Sequence, residues 1–233
     1  MSDFAYLDEN VIAVRQRIEK AARECGREPR DVLLLAAVKY ASAEEIDYLS
    51  SSHGLCDMGE NRVNTLLEHY ERTKREDLNY HFIGTLQKNK VKYIYDKISL
   101  LHSLDSYSLA LEIDKRCKAS GKVMDALIEI NIASEESKGG IHPEALSDFA
   151  LSVKELEGIR LKGFMTMAPA KLSQKEYTEY FTLTAALSGK TWRETLGRED
   201  APFLSMGMSG SLEAAVKCGS SCVRIGSDLF KKE

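Results

Sequence analysis

The chain has 233 residues, a formal net charge of −4 and a composition mixed enough to bury a core, with no low-complexity tract. That charge gives nucleic acid or an anionic membrane no hold as the main partner. No apolar run approaches the roughly 18 residues needed to cross a bilayer. The N-terminus, Met1-Ser2-Asp3-Phe4, lacks the basic and apolar regions of a signal peptide, so a cytoplasmic location is the default expectation.

In chain order, Leu7, Val11, Val14, Ile18, Ala22 and Cys25 recur at three- and four-residue spacings. They predict one amphipathic leading helix within residues 1–26, stopped by Gly26 and kept from resuming by Pro29. From Leu33 onward short apolar runs alternate with helical spacing. The runs are 33–38, 54–59, 80–86, 98–104, 126–132, 161–167, 203–208 and 222–225. Helical periodicity marks 42–50, 61–74, 86–95, 106–119, 142–156, 173–187 and 211–218 between them. Strict β-α alternation implies a parallel sheet, and eight strands favour a closed (β/α)8 TIM-like barrel over residues 33–230. An open doubly wound sheet is the alternative. No linker divides residues 1–233, so a single domain is expected. The 133–141 and 187–202 segments are the expected long mobile loops.

The first run, Leu33 to Val38, ends in Lys39. An amine at the carboxyl end of a buried parallel strand points into a barrel mouth. There desolvation favours its neutral form, which is nucleophilic toward aldehydes. The alternative is a lysine that extends to solvent. The other strand ends supply Glu60 and Asn61, Gly84, Ser103 and Asp105, Asn131, Met165, Ser205 and Met206, and Arg224. They contain no paired histidines for a metal and no Ser-His-Asp order. The turns Ser205-Met206-Gly207-Met208-Ser209-Gly210-Ser211 and Arg224-Ile225-Gly226-Ser227 are small and rich in hydroxyls. Each reads as a phosphate cradle or as an ordinary cap and tight bend. Arg224 lies between Val223 and Ile225, so alternation turns it inward. Lys88, Lys90 and Lys92 read as a solvated face. His81, His102, Tyr6, Tyr93 and Tyr95 read as core, rim or packing residues. The five cysteines form no Cys-x-x-Cys pair, as expected of reduced thiols.

These residues carry a resemblance along nearly the whole chain. Leu34–Lys39, Gly59-Glu60-Asn61, His81–Lys90, His102-Ser103-Leu104-Asp105, Glu129–Ile132 and Glu135–Gly140 match in order. So do Gly163-Phe164-Met165, Leu204–Ser209 and Val223–Ser227. The chain resembles the pyridoxal 5′-phosphate homeostasis proteins. The resemblance implies a barrel similar to the N-terminal domain of alanine racemase. In such a barrel Lys39 holds pyridoxal 5′-phosphate (PLP) as an internal aldimine and Arg224 faces the pyridine nitrogen. Asn61 lies beside the cofactor. The phosphate lies near Ser205, Met206 and Ser209, with Gly226 and Ser227 after the arginine. The chain departs from the family pattern in three places: Val38 stands for the usual serine, Ser227 for threonine, and Lys231-Lys232-Glu233 follow Phe230.

The resemblance further implies a monomer that stores PLP and delivers it to PLP-dependent apoenzymes. Little or no turnover is expected. An arginine at the ring nitrogen makes a weaker electron sink, and seven residues after Gly226 leave no room for the second domain of a racemase. The alternatives are a PLP-dependent amino-acid racemase using an internal base and a cofactor-free enzyme forming a Schiff base through Lys39.

Overall fold

The computed structural model describes residues 4–73, 75–133 and 139–232. Eight strands form one closed parallel barrel in the order of the sequence. They are β1 (Leu33–Ala37), β2 (Asp57–Glu60), β3 (Asn79–Phe82) and β4 (Leu100–Leu104), then β5 (Met124–Glu129), β6 (Ile159–Met165), β7 (Phe203–Ser205) and β8 (Cys222–Ile225). Closure is direct, since β1 pairs with β8 from Leu33↔Cys222 to Ala36↔Ile225.

The helices are α1 (Ala5–Glu24), α2 (Ala43–His53), α3 (Val63–Thr73), α4 (Val91–Ile94), α5 (Tyr107–Ala119), α6 (Leu146–Lys154), α7 (Gln174–Lys190), α8 (Leu212–Lys217) and α9 (Ser227–Phe230). The strand period of two divides the core into two layers. Outward residues such as Leu34, Ala36, Met58, Phe82, Val223 and Ile225 pack under the helices. Inward residues fill the barrel, with Leu35, Ile83 and Cys222 in one cluster and Leu100, Leu127 and Met165 in another.

The leading helix packs on α8 and α9. Its buried stripe is Leu7, Val11, Val14, Ile18, Ala21 and Ala22. The Asn10 amide donates to the carbonyls of Leu229 (2.9 Å) and Lys231 (3.0 Å) and so pins the C-terminal stretch. Arg17 donates to Glu213, Asp228 and the Ser209 carbonyl, which fixes α8 and the turn before it.

The 187–202 segment is not a loop. Helix α7 runs on to Lys190 and continues as a π-helical turn over Thr191–Thr195. Trp192 is buried with Leu196 in the second core cluster, its indole donates to Asp200 (3.2 Å), and the Arg198 guanidinium lies 4.5 Å from its ring centre. Small polar residues at buried positions, Thr184, Ser188 and Thr191, break the hydrophobic period that would have revealed this extension. The 86–95 helix contracts to a 3-10 turn at Lys88–Lys90 and the single turn of α4. Of the 133–141 segment, residues 134–138 lie outside the described residues.

Candidate functional site

Strand β1 stops at Ala37. The Val38 N–H donates to the Gly59 carbonyl (3.0 Å), and the Ala41 N–H closes a turn onto the Val38 carbonyl (2.9 Å). Lys39 and Tyr40 occupy that turn. The lysine therefore leaves the sheet before the pleat can bury it, and it is exposed: of the two readings of the strand end, the side chain that extends to solvent is the one the structure has. Its Nζ lies 4.5 Å from the centre of the Tyr40 ring. The hydrogen bond and charge of Lys39 draw the Tyr40 phenol below its ordinary value.

Lys39 lines a cavity of about 460 Å³ with Asn61, Gly226 and Ser227, three other residues singled out in the sequence. Tyr40, Glu45, Phe230, Lys231 and Lys232 complete much of its wall. Glu45 caps α2 in a reciprocal box with Ser42. It also accepts a hydrogen bond from the Tyr6 hydroxyl and an ion pair from Lys232 (3.2 Å). Tyr6 is thus part of the rim's support as well as packing. Tyr40, Glu45 and the Lys231-Lys232 pair sit in no motif that marks them as cavity residues. The available signal was the break in the usual sequence after Phe230.

Asn61 is set by a close approach. A Cβ on Gly84 would lie 2.2 Å from the Asn61 carbonyl oxygen, so the segments that follow β3 and β2 can meet here only through glycine. The Ser103 hydroxyl donates to the Gly84 carbonyl (2.6 Å) and holds that contact. Gly84→Ala is expected to cost about 1–3 kcal/mol by overpacking and to displace Asn61, as read by thermal unfolding and by ligand affinity.

At the other wall, the Ser227 hydroxyl donates to Ser209 Oγ at 2.9 Å, so the two turns recognised in the sequence converge. Gly207 has φ +100°, and a Cβ there would lie 2.5 Å from the Ala215 Cβ. Only glycine lets the turn lie this low against α8. Ser205 and Met206 do not share the mouth. Ser205 is fully buried, with its hydroxyl committed inside the barrel, and Met206 packs in the second core cluster.

Arg224 is inward and 5 % exposed, as alternation requires. It lies two residues before Gly226, roughly 6.6 Å down the strand from the cavity wall. Nη1 donates to the carbonyl and hydroxyl of Ser205 (both 2.7 Å), and Nη2 to the Thr166 carbonyl (2.9 Å). The register places it beside Leu35 of β1.

Glu129, at the end of β5, is also only 5 % exposed. Burial and the nearby Asp105 charge push its carboxyl up to about 7, against the pull of Arg224. Below pH 4.5 this group imposes no penalty on the fold. Stability falls as pH rises from 4.5 to about 7, and the full penalty persists above that. A carboxyl-carbon NMR titration is expected to show Glu129 titrating near 7. Glu129→Gln is expected to stabilise the protein at pH 8 by about 1–3 kcal/mol.

No group of three or more metal-ligating side chains occurs among the described residues, and none of the described helices is long and apolar enough to cross a membrane.

A closed barrel with an amine after its first strand and an arginine on its last defines a protein of the alanine racemase N-terminal-domain class. The model of that family, described as "Alanine racemase, N-terminal domain", matches residues 10–233. A curated relative, the pyridoxal phosphate homeostasis protein of Aquifex aeolicus, is 41% identical over 95% of this chain and 96% of its own length. The chain belongs to the family of pyridoxal phosphate homeostasis proteins. Among solved structures, PipY of Synechococcus elongatus with PLP bound superposes with a TM-score of 0.80. It is 26% identical, over 94% of this chain and 100% of PipY. Alanine racemase of Clostridium difficile shares the fold, with a TM-score of 0.72 at 19% identity; the match covers 97% of this chain and 57% of the racemase.

Proposed function

We propose that this chain binds PLP at the Lys39 cavity and serves its storage and delivery in the cytoplasm, with little or no turnover of its own. The observation that carries the reading is the convergence of Lys39, Asn61, Gly226 and Ser227 on one cavity. Its volume falls in the range of about 300–1,000 Å³ usual for small-molecule sites.

The residues present fit the cofactor. Bound there, PLP supplies an aldehyde with which an amine condenses reversibly, releasing one water. Lys39 supplies that amine from an exposed turn, where the aldehyde and competing amines can both reach it. Ser209 and Ser227 present two hydroxyls to a phosphate. Arg224 can only donate hydrogen bonds, so toward a ring nitrogen it would act as a donor and leave that nitrogen unprotonated. That would make the ring a weaker electron sink and disfavour turnover. PLP-dependent apoenzymes are the expected recipients, and a monomer is the expected state.

The test is reduction with borohydride after incubation with PLP, followed by peptide mass mapping. The expected result is one reduced pyridoxyl group on Lys39, together with no measurable α-deuterium exchange into amino acids in heavy water. An unmodified Lys39 would overturn the binding reading. Robust α-exchange would overturn storage in favour of racemase-like chemistry.

A further inference from the structure

The barrel interior holds a hydrogen-bonded chain that the cofactor reading does not use. Arg224 Nη1 lies 2.7 Å from Ser205 Oγ, which lies 2.8 Å from His102 Nδ1. His102 Nε2 is 3.0 Å from His81 Nδ1, and His81 Nε2 is 3.1 Å from Asp57 Oδ1. Five side chains from β8, β7, β4, β3 and β2 therefore form one continuous line. Both histidines are buried, at 5 % for His81 and 0 % for His102.

With both imidazoles neutral, the direction of this line is fixed by its Asp57 end. A guanidinium only donates, and a carboxylate only accepts. Ser205 accepts from Arg224 and donates its O–H to His102 Nδ1. His102 must then carry its proton on Nε2, which it donates to His81 Nδ1. His81 likewise carries its proton on Nε2 and donates it to Asp57. Every group is satisfied with both imidazoles neutral and Asp57 ionised. The surroundings agree. Burial, His81 and Arg224 all hold His102 well below its ordinary value. The neighbouring Cys222 thiol is pushed up to about 12 by burial and brings no competing anion. Glu129 is the remaining charged neighbour of Arg224.

We propose that His102 and His81 are positioning residues for Arg224: the one-way chain to Asp57 fixes the Ser205 hydroxyl as an acceptor for Nη1 and so sets the guanidinium that faces the cofactor's ring nitrogen. This rests on the proposed PLP site. The chain ends at Asp57, at the first residue of β2, at the opposite end of the barrel from the Lys39 cavity.

Two measurements decide it. In the cofactor-free protein, nitrogen-15 NMR of labelled histidines is expected to show His81 and His102 neutral at pH 7.5, each protonated on Nε2. A proton on Nδ1 of either ring, or a cationic His102, overturns the chain. In the PLP-loaded protein, His102→Leu breaks the chain, whereas the His102→Gln amide can accept from Ser205 and donate to His81. The leucine variant is expected to lose about tenfold in PLP affinity and to shift the visible band, and the glutamine variant to recover most of both. Ser205→Ala breaks the line without touching the histidines and is expected to match the leucine variant. Wild-type behaviour from both breaking variants, or no recovery with glutamine, overturns the positioning role. An unmodified wild-type Lys39 after borohydride instead overturns the cofactor site, and that outcome is separate from the NMR result.

Discussion

Lys39→Ala and Lys39→Arg are each expected to abolish the borohydride-stable PLP adduct and its visible absorption, with affinity falling by about a thousandfold or more. Alanine removes the amine. Arginine keeps the positive charge but stays protonated and does not act as a nucleophile. Neither change should disturb the fold. Lys39 is exposed in a turn closed by backbone groups, so unfolding free energy is expected to stay within about 0.5 kcal/mol of wild type. Residual weak binding through the serine hydroxyls and Arg224 would persist. Lys231 and Lys232 line the same cavity and offer an internal control. If the reduced pyridoxyl group moved to either in the variants with no loss of affinity, Lys39 would not be the anchoring amine.

His69→Ala is expected to destabilise the protein by about 3–5 kcal/mol, because it strands a buried charge. Glu60 is fully buried at the end of β2. Its Oε1 lies 2.6 Å from His69 Nδ1, and His69 Nε2 lies 3.1 Å from the Ala41 carbonyl. The Ala41 carbonyl accepts from Nε2–H, so with Glu60 ionised both ring nitrogens donate and the imidazole is a cation. Burial opposes that charge, but the hydrogen bond and charge of Glu60 outweigh it, and the His69 value is raised. The stabilisation is fully present below about pH 6.5, the unfolded value, and is lost as pH rises through the raised folded value. Urea unfolding of wild type should show stability declining over that window by up to about 1.4 kcal/mol per pH unit, and His69→Ala should lose that contribution. An unchanged pH profile in the variant would exclude a charged His69. The pair joins the strand bearing Asn61 to the turn bearing Lys39, so the same variant should also weaken ligand binding.

The β-α alternation made the barrel legible because parallel strands buried on both faces leave short apolar runs. The last run, Cys222–Ile225, matches β8 residue for residue. Arg224 was legible for the same reason: one charged residue between Val223 and Ile225 has to face the interior. The depth of Lys39 was not, because strand pairing ends at Ala37 and a backbone turn decides where the amine goes. Position 192 shows the converse failure. A lone tryptophan among polar residues gives no period, yet it anchors a buried helical turn. His81 and His102 could be placed in the core, but their mutual contact is a matter of adjacent strands and register, which periodicity does not encode.

Helix α1 supports the cavity wall at three separate points: Tyr6 on Glu45, Asn10 on the C-terminal stretch and Arg17 on the serine turn. Asn10 holds the Leu229 and Lys231 carbonyls on either side of Phe230, and Arg17 holds the backbone of Ser209 together with the Asp228 carboxylate. A single rigid lever therefore spans the tail and the hydroxyl pair. Detaching it would loosen both sides of the proposed PLP site at once, so residence time there would be governed by a helix that lines none of the cavity.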